Sequence, residues 1–264
     1  MYNTKSFMQI LDKYAPLELS KKMIAKGDYD NSGLLVDSGK GVSRVLFTLD
    51  LSMQALKVAK KNKCDTIVTH HPAIYMPLSC VSATDGSDTA PLYSAINGGF
   101  NVISMHLNLD VAENGIDACL CKALGGEKYK ILDYVDDLHG YGREFDIKGI
   151  SLQAYAGLVK RVFGTRKLIV YGKKNTVLNK GASFCGGGSS HALKAVMNGD
   201  TDADVIITSD MPHHVIKGLV ECGKCIILLP HYTAENFGFK NYFENVKKDA
   251  NGLQCFYFED SRFI

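Results

Sequence analysis

The sequence predicts an α/β protein built from two α/β domains, the second inserted into the first, each a mixed sheet flanked by helices. Three observations predict it. Arg44–Asp50 and Thr66–Thr69 are apolar, β-branched runs with a helical repeat between them, so residues 44–69 read as a βαβ unit with parallel strands. Several strands stop on polar clusters, such as His70-His71-Pro72 and His106–Asp110, at the strand ends where open α/β sheets bind ligands. From about residue 127 the texture changes to short strands around a turn rich in Asp, Gly and His, and the last segment reads as returning to the first domain. These features place one discontinuous domain at 1–125 and 229–264, and the inserted domain at 126–228.

Taken in order, Phe7, Ile10, Leu11 and Tyr14 repeat at helical spacing over residues 4–15, and Pro16 closes that helix. A second helix runs from about residue 17 to 26 and ends in the polar turn 27–33. Ser52 caps a helix reaching about Lys61, with Ala55, Leu56 and Ala59 facing inward. After a loop at 76–90 come a helix at 91–97, a strand at 101–105 and a helix at 114–124 that stops at Gly125-Gly126. Strands are expected at 129–135, 142–147, 167–171, 181–185, 204–208, 225–229 and 253–258. Helices are expected at 151–163, from 190 to about 197, up to Cys222, and over 233–247.

A chain of 264 residues with net charge +2 and no basic block gives nucleic acid no electrostatic footprint, so it is not an expected partner. No apolar run reaches the roughly 18 residues of a membrane span, and the first residues lack a signal-peptide core, which points to the cytoplasm. The eight cysteines are too sparse for a disulfide framework and are expected to be reduced. Cys222-Gly-Lys-Cys225 lies between a helix and the following strand, the reverse of a thioredoxin-like motif, and reads as structural.

The chemistry gathers at the strand tips. Pro72 holds His71 extended, so the His70 and His71 imidazoles diverge and suit two metal ions better than one. His231 and Glu235 lie four apart and share a helix face if the helix starts at or just before His231. With Asp110 they make five N/O donors, a mixed imidazole–carboxylate set that suits zinc, iron or manganese.

Seven segments in order, Asp28–Val36, Thr48–Asp50, Asp65–Pro72, His106–Asp110, Cys185–Ser190, Thr208–His214 and His231–Glu235, resemble the NIF-three-like dinuclear-metal family, the GTP cyclohydrolase I type 2 homologues. The resemblance implies two α/β domains per subunit and a toroidal homohexamer with the metal sites facing its interior. It also implies two divalent ions per subunit on His70, His71, Asp110, His231 and Glu235. The chain is similar to the short form, without a further inserted domain. It departs from the family at Asp37 and at Leu228-Leu229-Pro230, where Asp-Ala-Gly is usual before the histidine; Pro230 restricts the approach to His231.

Other polar residues carry two readings each. His106 is the candidate catalytic residue, contacting substrate or an outer water, or else a buried hydrogen-bonded histidine. Gly186–Ser190 either cradles an anion at a helix start or simply turns tightly. His213 and His214 line the same cavity or pack at the domain interface, and Asp30 and Asn31 stabilise their own turn. Ile74–Pro77 and the aromatic run Phe256–Phe258 are expected interface material. Two functions follow as expectations. One is a metal-dependent hydrolase of a nucleotide-like or phosphoester substrate; the other is a non-catalytic metal-dependent scaffold, metal-delivery or regulatory protein.

Overall fold

Side-chain caps start helices where the sequence offers them: Asn3 accepts the Ser6 N–H at 2.7 Å, Ser52 the Ala55 N–H at 3.1 Å and Ser151 the Ala154 N–H at 3.3 Å. The computed structural model describes residues 2–264. In chain order the elements are α1 (Thr4–Asp12), α2 (Leu17–Ala25), β1 (Gly33–Val36), β2 (Arg44–Thr48), α3 (Met53–Lys61), β3 (Thr66–Thr69), α4 (Ala90–Asn97) and β4 (Asn101–Ser104). Then come α5 (Leu107–Val111), α6 (Ile116–Ala123), β5 (Tyr129–Tyr134), β6 (Gly140–Ser151), α7 (Leu152–Val162), β7 (Ile169–Tyr171) and β8 (Val177–Ser183). The rest are α8 (Ser189–Met197), β9 (Val205–Thr208), α9 (His213–Glu221), β10 (Cys225–Leu228), α10 (His231–Asp249), β11 (Gln254–Tyr257) and a 3-10 turn at Ser261–Phe263. No helix among the described residues is long and apolar enough to cross a membrane.

The chain divides into two units, the first running to Leu109 and resuming over Phe239–Arg262, the second Asp110–Gly238 with Phe263–Ile264. The first holds a five-stranded sheet in the order β1-β4-β3-β2-β11, parallel except for β1. Register explains its two-sided core. Leu46, Ile67 and Val102 stand in line across β2, β3 and β4 and pack with Ala55, Leu56 and Ala59 of α3 and with Ala95 and Phe100. The next residues, Phe47, Val68 and Ile103, point to the other face. There Phe47 meets Phe239, Tyr242 and Phe243 of α10 with ring centroids 5.3–6.4 Å apart.

The second unit holds a six-stranded sheet in the order β5-β6-β8-β9-β10-β7, with β8, β9 and β10 parallel and the remaining pairs antiparallel. Its interior contains an ion pair: Arg143 on β6 and Asp117 on α6 are both fully buried and bonded to each other. Asp117 also accepts the Gly142 and Cys185 N–H groups at 2.9 Å each. Burial pushes the Asp117 carboxyl up to about 6, against the pull of Arg143, and nearby Asp110 adds to the rise.

The two-sheet α/β architecture is the one expected, and the structure adds detail the sequence reading lacked. Gly33–Val36 forms β1, and Leu107–Val111 forms the short helix α5 just after His106. The two compact units meet in the chain at 109/110 and 238/239. Asp117 ties α6 to β6, and Gly238 lets α10 approach α6 so closely that a Cβ there would strike Ile116. Phe256, Tyr257 and Phe258 are partly buried in the first unit's own core rather than displayed, while Tyr75 and Met76 are exposed. All eight cysteines are free.

Removing one partner of the buried pair should be costly. We expect Arg143→Met to lower stability by about 3–5 kcal/mol at pH 7, and the double variant with Asp117→Asn to cost less than the two singles together. Because the folded pKa of Asp117 already lies above its unfolded value, its contribution is full at low pH and is lost as pH rises. The Arg143→Met penalty should therefore shrink between pH 7 and pH 5. Urea unfolding at the two pH values checks both statements.

Candidate metal centre

In the first unit the candidate donors stand where parallel strands end. Asp50 follows β2, His70 and His71 follow β3, and His106 follows β4. The His70 and His71 N–H groups both bond to the Leu49 carbonyl, at 3.1 and 3.0 Å, which fixes the backbone on which the pair diverges. The His70 ring lies 4.8 Å from that of His71 and 5.1 Å from that of His106, centroid to centroid.

Hydrogen bonds decide which nitrogen of each ring carries a proton. His70 is fully buried, and its Nδ1 lies 2.8 Å from the Met105 carbonyl oxygen. A carbonyl only accepts, so Nδ1 is the protonated nitrogen and Nε2 keeps the lone pair. His71 does the same toward Asp50 Oδ1 at 2.7 Å, and His106 toward Asp30 Oδ1 at 2.7 Å. This is the arrangement by which outer acceptors orient metal-ligating or proton-accepting imidazoles.

Asp30 is therefore more than a turn residue. Buried under the loop, it also accepts from Ser20 Oγ at 2.5 Å and Ser32 Oγ at 2.6 Å. Burial works to raise its pKa, but the His106 contact and the two hydroxyls outweigh that, and the carboxyl sits below its ordinary range. Asn31 likewise reaches across to the Ile74 carbonyl, at 2.6 Å, instead of folding back on its own turn.

The second unit follows the same rule. Gly186, Asp210 and His231 come two or three residues after its parallel strands β8, β9 and β10. Helix α10 begins on His231 itself, with the Pro230 carbonyl accepting the Ala234 N–H at 3.0 Å, so Pro230 does not displace the start. His231 and Glu235 consequently share a face: Nε2 lies 2.8 Å from Glu235 Oε2, while Nδ1 lies 2.6 Å from Asp210 Oδ2. Carboxylates only accept, so the double contact needs either a doubly protonated ring or a cation shared by Nε2 and Glu235. Two donors each about 2.1 Å from one ion stand about 3 Å apart at a right angle, close to the spacing present.

Carboxylates gather in the interior of this unit. Asp110, Asp117 and Glu235 are all buried. The Cys185 thiol is raised well above its ordinary pKa, first by burial and then by Asp110, Asp117 and Glu235. The buried Tyr141 hydroxyl rises for the same reasons, and it donates to the Cys185 carbonyl. Arg143 is bonded to Asp117, and His231 Nε2 meets Glu235. Gly186 makes room for Glu235. Its φ is +56°, and a Cβ there would press on Glu235 Oε1. Its carbonyl accepts from Thr208 Oγ1 at 3.1 Å, so the glycine run is a tight turn.

His, Asp and Glu groups able to hold a metal ion are thus present: His70, His71 and His106 in the first unit, Asp110 and Glu235 in the second. His213 and His214, expected to line a cavity or pack at an interface, are exposed at the start of α9. The sequence reading missed Asp50, Asp30 and Asp210 as partners of the histidines. Their common signal is position, since Asp50 and Asp210 each lie two residues past a strand and Asp30 sits in the Asp28–Val36 segment.

Fold and donors together define an α/β protein with imidazole and carboxylate groups at the C-terminal ends of parallel strands. The Duf34/NIF3 (NGG1p interacting factor 3) family matches residues 2–262, and the chain belongs to that family. It is 31% identical over 232 residues to a GTP cyclohydrolase 1 type 2 homolog of Clostridium perfringens, covering 86% of this chain and 85% of that protein. It is 26% identical over 263 residues to NGG1-interacting factor 3 of Saccharomyces cerevisiae, covering 90% and 88%. Its fold is similar to that of the Staphylococcus aureus hypothetical protein SA1388, with a TM-score of 0.84 at 22% identity over 98% of this chain and 96% of that one.

Gly186→Ala tests the cradle. A left-handed backbone costs a residue with a Cβ about 1–2 kcal/mol, and the added methyl must also move Glu235. We expect a drop of at least that size in urea unfolding; an unchanged midpoint would mean that the turn relaxes freely.

Proposed function

We propose that the chain is a dinuclear metal-dependent hydrolase in which His70, His71, Asp110, His231 and Glu235 hold two divalent ions of zinc, iron or manganese. The observation that carries the reading is the tautomer control: His70, His71 and His231 each commit Nδ1 to an oxygen, which directs Nε2 to a cation. Such ions supply Lewis-acid activation of water and offset negative charge developing at an electrophilic carbon or phosphorus.

The chain's own residues do the rest. Asp50, the Met105 carbonyl and Asp210 orient the ligand imidazoles, and the buried carboxylates supply countercharge. His106, aimed by Asp30, keeps an accepting Nε2 that takes a proton from, or returns one to, the reacting group. The substrate is a nucleotide-like or phosphoester molecule, a reading supported by the name of the Clostridium perfringens relative. A second reading, a metal-dependent interaction or delivery protein working in the cytoplasm, draws on the name of the yeast relative. Turnover of purine nucleotides or phosphoesters by metal-loaded protein, abolished by His106→Ala with metal content intact, separates the two.

Elemental analysis at neutral pH tests the shared centre. Glu235→Gln keeps shape and removes charge, so metal content should fall below two per subunit, as it should for His70→Ala. The double variant should lose less than the sum, because both changes act on one unit. Full occupancy in Glu235→Gln would reject the shared centre.

The assembly we propose is a closed homohexamer, supported by the exposed apolar loop with Tyr75 and Met76. Light scattering of metal-loaded protein at micromolar concentration should give six subunits; a monomer would reject it.

A further inference from the structure

The second unit contains a cleft of about 530 Å³ beside His231. That volume lies within the roughly 300–1,000 Å³ of sites for small organic ligands. Its walls are mainly apolar, with Ile169 of the edge strand β7, Met211, Pro212 and Leu228 contributing. Its charged lining is sparse: one cation, Lys167, and one carboxylate, Asp210, which His231 Nδ1 contacts. Lys167 Nζ also donates to the Ile264 backbone oxygen at 3.0 Å. One further polar group stands out. Ser209 lines the cleft, and its hydroxyl is buried and makes no hydrogen bond among the described residues.

We propose that this cleft is a substrate subsite for a small molecule with an apolar ring and at most one negative charge, and that it does not take a nucleoside triphosphate. The inference rests on the hydrolase reading in that the cleft opens on His231, and it narrows the substrate class within that reading. A triphosphate brings several negative charges, and polyphosphate sites meet them with arrays of cationic or N–H donors. The cleft's own side chains offer a single ammonium, already shared with a backbone oxygen, and one carboxylate of opposite sign. A flat ring can lie on Ile169, Met211, Pro212 and Leu228. Its one anionic group can reach Lys167.

The test uses 1-naphthoate, a ring monoanion, as the probe, with calorimetry on the full-length, metal-loaded protein. The expected result is one site per subunit, not displaced by GTP. Ile169→Glu, which puts a like charge on the apolar wall, should weaken binding at least about tenfold, and Lys167→Met several-fold. Ile169 is 56% exposed, so its replacement leaves the core intact, and thermal unfolding confirms that both variants are folded. Failure of naphthoate to bind, equal binding by Ile169→Glu, or displacement by GTP overturns the proposal. Metal analysis of the same samples separates this failure from that of the metal reading. Two ions with no naphthoate site would sink the subsite alone, whereas naphthoate bound to protein that holds no metal would sink the hydrolase and leave the subsite.

Discussion

The candidate centre depends on one constraint: an imidazole has two nitrogens, and something must choose between them. At His70, His71, His106 and His231 the choice is made by an oxygen at Nδ1, from Met105, Asp50, Asp30 and Asp210 respectively. Those oxygens are in reach because neighbouring parallel strands end together. Asp50 lies two residues past β2 and His71 two past the neighbouring β3, while Asp210 lies two past β9 and His231 three past the neighbouring β10. Strand register therefore sets ring orientation, and ring orientation sets which lone pair is offered. Shifting a strand by one residue would turn its side chains to the opposite face and break the arrangement.

The second unit spends stability to hold its carboxylates. Burying a carboxylate is costly unless it is partnered; Arg143 meets Asp117 and His231 meets Glu235. What Asp117 provides in return is position. Its two oxygens bind the Gly142 and Cys185 N–H groups, fixing β6 and the turn that carries Gly186 against Glu235. Asp110 and Glu235 are buried in the same unit and are carboxylates of the kind that could serve a divalent cation as ligands.

Much of this was legible in the sequence because the signals are local. The βαβ unit at 44–69, the Ser52 cap, and the His-His-Pro strand end all follow from residue type and spacing, and the structure has them in place. His231 and Glu235 were placed on one helix face by their separation alone. What escaped depends on contacts between distant segments. Nothing near Asp30 announces His106, 76 residues away, and nothing near Asp117 announces Arg143 on another element. The five-residue helix α5 is too short to show a periodic pattern. Phe256–Phe258, expected as interface material, are partly buried against the first unit's core, a packing that their aromatic composition alone does not announce.

The strand order of the first sheet bears on how the chain is made. β11 closes the edge beside β2, yet Gln254 and Arg44 are 210 residues apart, with the whole of Asp110–Gly238 between them. During synthesis the second unit is complete while the first sheet still lacks its last strand. Parallel pairing across such a distance is slow, so for that interval β2 presents an open, apolar edge. Ribosome-bound or truncated chains ending before residue 254 thus share a hazard that the finished protein does not have. Their remedy is a chaperone that shields a strand edge rather than one that covers a loose helix.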